Sequence, residues 1–206
     1  MSRTLKQLVD ALPYPCQWLP ADAADAPVAG VIDDNRKVRP GYVFVAYPGV
    51  AVDGHKFVSD AVQRGAVAVV VERPQPGLSV PQVIVPNGRQ ALAYLCAAWY
   101  GFPARSMTLV GVTGTDGKTT TTNLIFNILK CAGKHTGMIS TVNAVIGERV
   151  LDTGLHTTTP DADEVQGYLA QMRDAGMTHC ILEVTSHSLA QYRVDGIDVD
   201  VAVVTN

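Results

Sequence analysis

Hydrophobic positions along this chain switch repeatedly between two periods. Short apolar runs of strand length give way to stretches in which apolar residues recur every three or four positions, the pattern of an α/β fold. Val28–Ile32 and Tyr42–Ala46 read as strands, separated by the charged turn Asp33–Lys37. His55–Arg64 reads as a helix with Phe57, Val58, Ala61 and Val62 on one stripe and Gly65 at its end. Ala66–Val71 is a continuous apolar run that stops at Glu72, valine-rich as a strand covered on both faces requires. Val83–Val85 is a further short strand, and Asn87 is placed to cap a helix reaching Tyr100.

Gly101–Ser106 breaks that helix, and a second series of elements follows. Met107–Val112 reads as a strand, then a glycine-threonine loop, then a helix over Thr119–Ala132. Thr141–Leu151 has the pattern of a hairpin turning at Gly147–Glu148. The helix Asp161–Ala175 begins behind Thr159–Pro160, a hydroxyl followed by a proline, which is favourable N-terminal chemistry. Thr178–Val184 and Val199–Thr205 complete the strands. The expected border lies near Arg105, giving domains 1–105 and 106–206.

Composition narrows the function classes. At 206 residues, against roughly 150 per domain, the chain makes one large or two small domains. Its 47% hydrophobic and 17% charged residues supply a sizeable core. The net charge of -3 argues against a general nucleic-acid or membrane-surface binder, which would show a basic patch. Cys16, Cys96, Cys131 and Cys180 are scattered with no CxxC pair, which predicts neither a disulfide framework nor a zinc site. The first residues lack the apolar core of a signal peptide, and no run reaches the ~18 apolar residues of a membrane span. The expectation is a cytoplasmic protein without membrane insertion. Oligomeric state has no sequence signature here.

The strongest chemical signal spans Met107–Thr120. A strand leads into Gly114-Thr115-Asp116-Gly117, and Lys118-Thr119-Thr120 opens a helix. Gly114 and Gly117 let backbone N–H groups approach a phosphate closely. Lys118 brings charge to terminal phosphates, and the Thr119 hydroxyl suits a magnesium ion. The general pattern G-x-x-x-x-G-K-S/T is not matched, since Val112 stands where its first glycine belongs. The shorter TGTDGKTT instead resembles the TGTNGKTT loop of the Mur ligase superfamily, with Asp116 in place of asparagine.

Other motifs resemble the same superfamily, in particular the branch that adds the third residue of the peptidoglycan stem peptide. Asp34-Asn35-Arg36 followed by Pro40–Ala46 is similar to a DSR…PGdlFvA segment whose serine holds the uridine nucleotide; Asn35 stands where that serine is usual. Gly49 through Asp53-Gly54-His55 resembles the next uridine-approaching loop. Turn-favouring residues dominate both segments, so ordinary turn chemistry accounts for either one taken alone. His156-Thr157-Thr158-Thr159-Pro160 is similar to an nTTP stretch, with Thr157 replacing asparagine; these threonines would contact the diphosphate and muramoyl part of the substrate. Glu183–Arg193 resembles EvSSHaLxqxR. There Glu183 would bind magnesium beside Thr119, Thr185 keeps the hydroxyl of the first serine, and Gln191 and Arg193 would grip the nucleotide sugar. His187 reads rather as a hydrogen-bonded packing residue.

The resemblance implies a small N-terminal α/β uridine-nucleotide domain, then a P-loop α/β central domain with a mostly parallel sheet. It also implies ATP-dependent amide-bond formation with Mg2+. The carboxylate of UDP-MurNAc-L-Ala-D-Glu attacks the γ-phosphate, and the amine of a diamino acid (meso-diaminopimelate or lysine) displaces phosphate from the acyl phosphate. Lys118 and Glu183 would be the catalytic pair. A sister ligase, a non-catalytic nucleotide or UDP-sugar binding module, and a plain P-loop kinase remain as alternatives. The family's downstream histidine, carbamylated lysine and C-terminal domain would all lie past Asn206. The 206 residues are therefore expected to show little or no ligase turnover alone. An assay with ATP, UDP-MurNAc-L-Ala-D-Glu and diamino acids tests this, and robust phosphate release coupled to product would refute it.

Overall fold

The structure, a computed structural model, describes residues 3–20, 25–50, 52–152 and 160–206. It forms two compact units, Met1–Trp99 and Tyr100–Asn206.

In the first unit β1 (Arg3–Thr4) runs into α1 (Leu5–Val9), where Thr4 and Gln7 form a reciprocal cap. Next come β2 (Gln17–Leu19), β3 (Pro27–Val28), β4 (Gly30–Ile32) and β5 (Tyr42–Ala46). The unit is completed by α2 (Val58–Gln63), β6 (Ala68–Val71), β7 (Gln82–Ile84) and α3 (Gly88–Tyr100), which crosses into the second unit. The sheet order is β2-β7-β6-β5-β4, parallel throughout except for β2 against β7. Phe44 and Ala46 of β5 pack with Val58 and Ala61 of α2. Period-two alternation turns Val43 and Val45 to the other face, where they are equally buried.

Two elements differ from the sequence pattern. The run Val28–Ile32 divides at Ala29: β3 pairs with β1, whereas β4 pairs with β5. The Tyr42 ring lies over Gly30, where a Cβ would come within 2.7 Å of it. The segment expected as one helix from His55 starts as a 3-10 turn over Gly54–Phe57, capped by the Asp53 carboxylate, and becomes α-helical only at Val58.

The second unit contains β8 (Thr108–Thr113), α4 (Lys118–Cys131), β9 (Thr136–Ile139), β10 (Asn143–Ile146) and β11 (Arg149–Asp152). It continues with α5 (Ala162–Asp174), β12 (His179–Glu183), α6 (Ser186–Ala190) and β13 (Val201–Val204). Its sheet order is β11-β10-β9-β12-β8-β13. β9, β12, β8 and β13 are mutually parallel, and the hairpin β10–β11 adds antiparallel strands at one edge. Both faces are covered. Leu109, Ile139, Cys180 and Leu182 pack with Val165, Leu169 and Met172 of α5. Val110, Val112, Met138 and Ile181 pack with Phe126 of α4. Burial pushes the Cys180 thiol up to about 12, so it serves as an apolar core group rather than a nucleophile.

The same alternation decides the chemistry. On β12, Cys180 and Leu182 face α5, so Ile181 and Glu183 face α4. A carboxylate is thereby delivered beneath the start of α4.

Leu169 is fully buried between α5 and the sheet. Leu169→Ala is expected to destabilise the second unit by about 2–5 kcal/mol. Urea unfolding followed by far-UV circular dichroism measures this, and an unchanged midpoint would contradict the packing described.

Candidate functional site

The loop between β8 and α4 is shaped by two glycines with positive φ. Gly114 has φ +139 and Gly117, the N-cap residue of α4, has φ +77; side chains rarely adopt such values. Lys118 folds back over the loop, its Nζ donating to the carbonyls of Gly114 at 2.9 Å and Thr115 at 2.8 Å. The N–H groups of Thr115 and Asp116 both donate to Asn206 Oδ1, at 2.8 and 2.9 Å. Thr120, on the first turn of α4, is exposed.

Beneath the loop, Thr119 Oγ1 donates to Glu183 Oε1 at 2.9 Å. Glu183 is only 1% exposed, a position in which a carboxylate requires partners. Its other oxygen accepts the Thr141 N–H at 3.0 Å. Ser140, itself buried, organises that turn by accepting the Val142 and Asn143 N–H groups on its hydroxyl. The structure thus joins Thr119 and Glu183, the pair expected to share a magnesium ion. Both present hard oxygen donors, the chemistry magnesium prefers. Among the described residues no group of three His, Cys, Asp or Glu side chains gathers. A cation here would take two protein ligands and complete its shell with phosphate oxygens and water, as magnesium commonly does.

A second cluster forms around the start of α5. Gln191 Oε1 accepts from Arg193 Nε at 3.2 Å and Nη2 at 2.9 Å. Arg193 Nη2 also pairs with Asp161 Oδ1 at 3.3 Å, and its side chain is only 14% exposed. Asp161 is the N-cap residue of α5. Thr157, Thr158 and Thr159 lie outside the described residues. Thr185 caps α6: its Oγ1 accepts the Ser188 N–H at 3.0 Å, and Ser188 Oγ accepts the Thr185 N–H in return. His187 is exposed on α6, which corrects the expectation of a packing residue. The first-turn geometry of so short a helix turns it outward, while Ser188 takes the buried place.

In the first unit, the Asn35 amide donates to Asp60 Oδ2 at 2.7 Å, and Arg64 Nε binds the same oxygen at 2.7 Å. Asn35 is therefore anchored to α2. Polar residues follow each of three parallel strands: Asp33 after β4, Tyr47 after β5 and Glu72 after β6. The Tyr47 hydroxyl donates to Asp33, and the Arg89 guanidinium lies 5.0 Å from the centre of the Tyr47 ring. His55 is buried; its Nε2 accepts the Glu72 N–H at 3.1 Å, which places the proton on Nδ1, 2.7 Å from Asp53 Oδ1. Arg73 pairs with the other Asp53 oxygen.

The motifs missed Thr141, Asp161, Thr205 and Asn206. Only the turn-forming Ser140 and the position of Asp161 before a periodic helix left a local signal for two of them. Nothing in the neighbouring sequence of Thr205 and Asn206 shows that β13 lies beside β8.

Two α/β units, each with polar loops at the carboxyl ends of parallel strands, define the class of protein. The Mur ligase family catalytic domain matches residues 27–100, and the Mur ligase middle domain matches residues 112–206. The chain belongs to the Mur ligase family. The UDP-N-acetylmuramyl-tripeptide synthetase of Roseiflexus sp. is 45% identical over 204 residues, covering 97% of this chain and 40% of that protein. The UDP-N-acetylmuramoyl-L-alanyl-D-glutamate--2,6-diaminopimelate ligase of Geobacillus thermodenitrificans is 48% identical over 84% of this chain and 35% of its own length. A solved structure of a ligase with that same name superposes with a TM-score of 0.81 at 27% identity, covering 100% of this chain and 40% of the other. MurF ligase from Thermotoga maritima in complex with ADP superposes with a TM-score of 0.54 at 28% identity, covering 84% of this chain and 36% of the other. The chain spans 35–40% of the length of the two curated relatives described.

The hydrogen-bonded partners of Asp53 make a pH prediction. Its hydrogen bond to Arg73, then that to His55, hold the carboxyl far below the usual carboxylate range. Because the folded-state value is depressed, the stability it contributes is present above the unfolded value near 4 and is lost as the pH falls towards the folded one. Asp53→Asn is expected to weaken the first unit at pH 7 and to flatten its loss of stability between about pH 5 and pH 2. Urea midpoints across that range test this; an acid limb parallel to that of the unsubstituted protein would exclude it.

Proposed function

We propose that this chain carries the nucleotide-sugar-binding and phosphate-binding parts of an ATP-dependent amide ligase of peptidoglycan precursor synthesis. The first domain, 1–105, binds the uridine nucleotide, and the second, 106–206, binds ATP. The substrate is UDP-MurNAc-L-Ala-D-Glu, and the acceptor is a diamino acid; 2,6-diaminopimelate is the one in the name of the Geobacillus relative. The observation that carries this reading is one glycine loop with Lys118 Nζ held on its Gly114 and Thr115 carbonyls and with Thr119 bonded to Glu183 beneath it. The reaction class places the enzyme in the cytoplasm, where ATP is supplied. No helix among the described residues is long and apolar enough to cross a membrane.

The chain's own groups do three things in this scheme. The N–H groups at the start of α4 lack intrahelical partners and receive phosphate oxygens, helped by the helix dipole. Lys118 exchanges its two loop carbonyls for phosphate oxygens, a gain because the new partners are charged. The Thr119 hydroxyl and the Glu183 carboxylate would hold magnesium, which when bound neutralises charge on the terminal phosphates. Gln191 and Arg193, braced on Asp161, orient the diphosphate and muramoyl portion together with Thr157, Thr158 and Thr159; Thr185 presents its hydroxyl nearby, and Asn35 contacts the uridine. The substrate carboxylate attacks γ-phosphorus in line, ADP leaves, and the acyl phosphate is opened by the acceptor amine through a tetrahedral intermediate, with inorganic phosphate departing. Holding carboxylate and phosphorus in line is the main catalytic contribution of such a site.

Lys118→Ala separates this reading from a structural role for the loop. Loss of a charge-assisted contact corresponds to about 10- to 100-fold weaker ATP binding in the presence of Mg2+. Isothermal titration calorimetry measures it, with UDP-substrate affinity as the internal control. Equal ATP affinity for both proteins would overturn the assignment.

A further inference from the structure

We infer that Ser140 is a positioning residue for the cation site: its buried hydroxyl shapes the turn between β9 and β10 so that the Thr141 N–H meets Glu183 Oε2, which keeps Oε1 aligned with the Thr119 hydroxyl. This inference deepens the magnesium reading above and rests on it. A glutamate side chain is flexible, and a carboxylate held at one oxygen alone can still swing. Here it is held at both, by the Thr141 N–H at 3.0 Å and by the Thr119 hydroxyl at 2.9 Å. Partners standing behind a metal ligand fix its orientation in this way and set much of the affinity.

Strand register brings the turn to the carboxylate. Ile139, the last residue of β9, is level with Leu182 of β12, so Ser140 follows at the height of Glu183. β10 begins at Asn143, which leaves only Thr141 and Val142 between it and Ser140. The Ser140 N–H donates to the Asn143 carbonyl at 2.9 Å. In a regular antiparallel pair the Asn143 N–H would return that bond to the Ser140 carbonyl. Here it donates to Ser140 Oγ at 3.3 Å, and the Val142 N–H donates to the same oxygen at 3.3 Å. The hydroxyl in turn donates to the Asn143 carbonyl at 3.1 Å, with the Asn143 amide oxygen 3.3 Å away. A side-chain oxygen thus stands in for a backbone acceptor, and the turn takes its shape from that exchange.

Burial makes the exchange consequential. Ser140 is only 1% exposed, so water does not take the place of its hydroxyl. Alanine at this position would remove the acceptor of both N–H groups, and regular pairing offers the Ser140 carbonyl to Asn143 instead. Closing the turn on that carbonyl moves the Thr141 N–H off its line to Glu183. The carboxylate then loses one of its two guides while the glycine loop above it is untouched.

The test reads how far Mg2+ strengthens the binding of a non-hydrolysable ATP analogue, as the ratio of its affinities in Mg2+ and in EDTA by isothermal titration calorimetry. Ser140→Ala is expected to lower that ratio about tenfold and to leave the affinity in EDTA unchanged. Ser140→Thr, which keeps the hydroxyl, is expected to restore most of the ratio. In a Glu183→Gln background Ser140→Ala is expected to cost nothing further, because the group it positions is gone. A merely structural role would weaken binding alike with and without Mg2+ and would add to the Glu183→Gln loss; either result overturns the inference. Should Ser140→Ala fail to fold, the Thr141 amide resonance of the unsubstituted protein decides. It is expected to shift when Mg2+ joins the nucleotide complex, and an unmoved resonance overturns the inference. If the unsubstituted protein binds no nucleotide, or if Glu183→Gln leaves the Mg2+ effect intact, the magnesium reading falls and the inference with it. If Glu183→Gln abolishes the effect and Ser140→Ala does not lower it, the inference alone falls.

Discussion

Everything in the second unit's site depends on the parallel register of three neighbouring strands. Glu183 is level with Val112, and Val204 with Thr113. β12, β8 and β13 therefore end at one edge, and whatever follows each strand meets there. Residues as distant in sequence as Thr119, Glu183 and Asn206 come within hydrogen-bonding reach of one loop for that reason. A slip of one residue on β12 would turn Glu183 onto the apolar α5 face and put Leu182 beneath Thr119. The burial of Leu182 and the delivery of a carboxylate are consequently one constraint, and the core enforces the chemistry.

The first unit solves a similar problem with different groups. Asp33, Tyr47 and Glu72 follow β4, β5 and β6, so they too gather at the carboxyl edge of a parallel sheet. They are tied to the framework: Tyr47 to Asp33, Glu72 to the Gly88 N–H at 2.7 Å, and His55 to the Glu72 N–H. Groups so restrained lose little further freedom when a ligand arrives, which is how a rigid scaffold supports recognition. Asn35 follows the same logic, held by Asp60 rather than left to rotate in solvent.

How much of this was legible follows from which interactions are local. Tyr42–Ala46 shows its observed ends in the sequence because it is a self-contained apolar run bounded by Gly41 and by Tyr47-Pro48. The helix after the glycine loop is legible to within one residue, since Gly117 and Lys118 mark its start and Gly133 its end. By contrast β9 has no local signature: Thr136 is polar, and Gly137 surrenders its side-chain space to Met172, whose Sδ lies 2.5 Å from where a Cβ would be. The five residues of α6 carry too little periodicity to mark a helix, which is held by the Thr185–Ser188 cap instead. At the site, Lys118, Thr119 and Glu183 announced themselves by residue type beside a strand end. Thr141 and Asn206 did not, because their roles come from strand order, which no local stretch encodes.

Charge bookkeeping around the loop sharpens the functional reading. Between Thr113 and Thr120 the only basic side chain is Lys118, while Asp116 on the loop and Glu183 below it are acidic. The side chains of loop and floor thus bring more negative than positive charge to the seat proposed for a polyphosphate. Asp116 in place of an amide deepens that deficit, although it is exposed, and water screens it far more than the buried Glu183. Backbone N–H dipoles at the start of α4 offset part of the repulsion. The proposed polyphosphate ligand would bring the remainder into balance if it arrived with a cation of its own. Thr119 and Glu183, bonded to each other at 2.9 Å, are the oxygen pair proposed to receive it. Their mutual hydrogen bond helps satisfy a buried carboxylate and holds two oxygen donors side by side at the junction of strand and helix. An acidic floor, which would weaken a site built on charge attraction alone, fits a site that takes its phosphates together with a divalent ion.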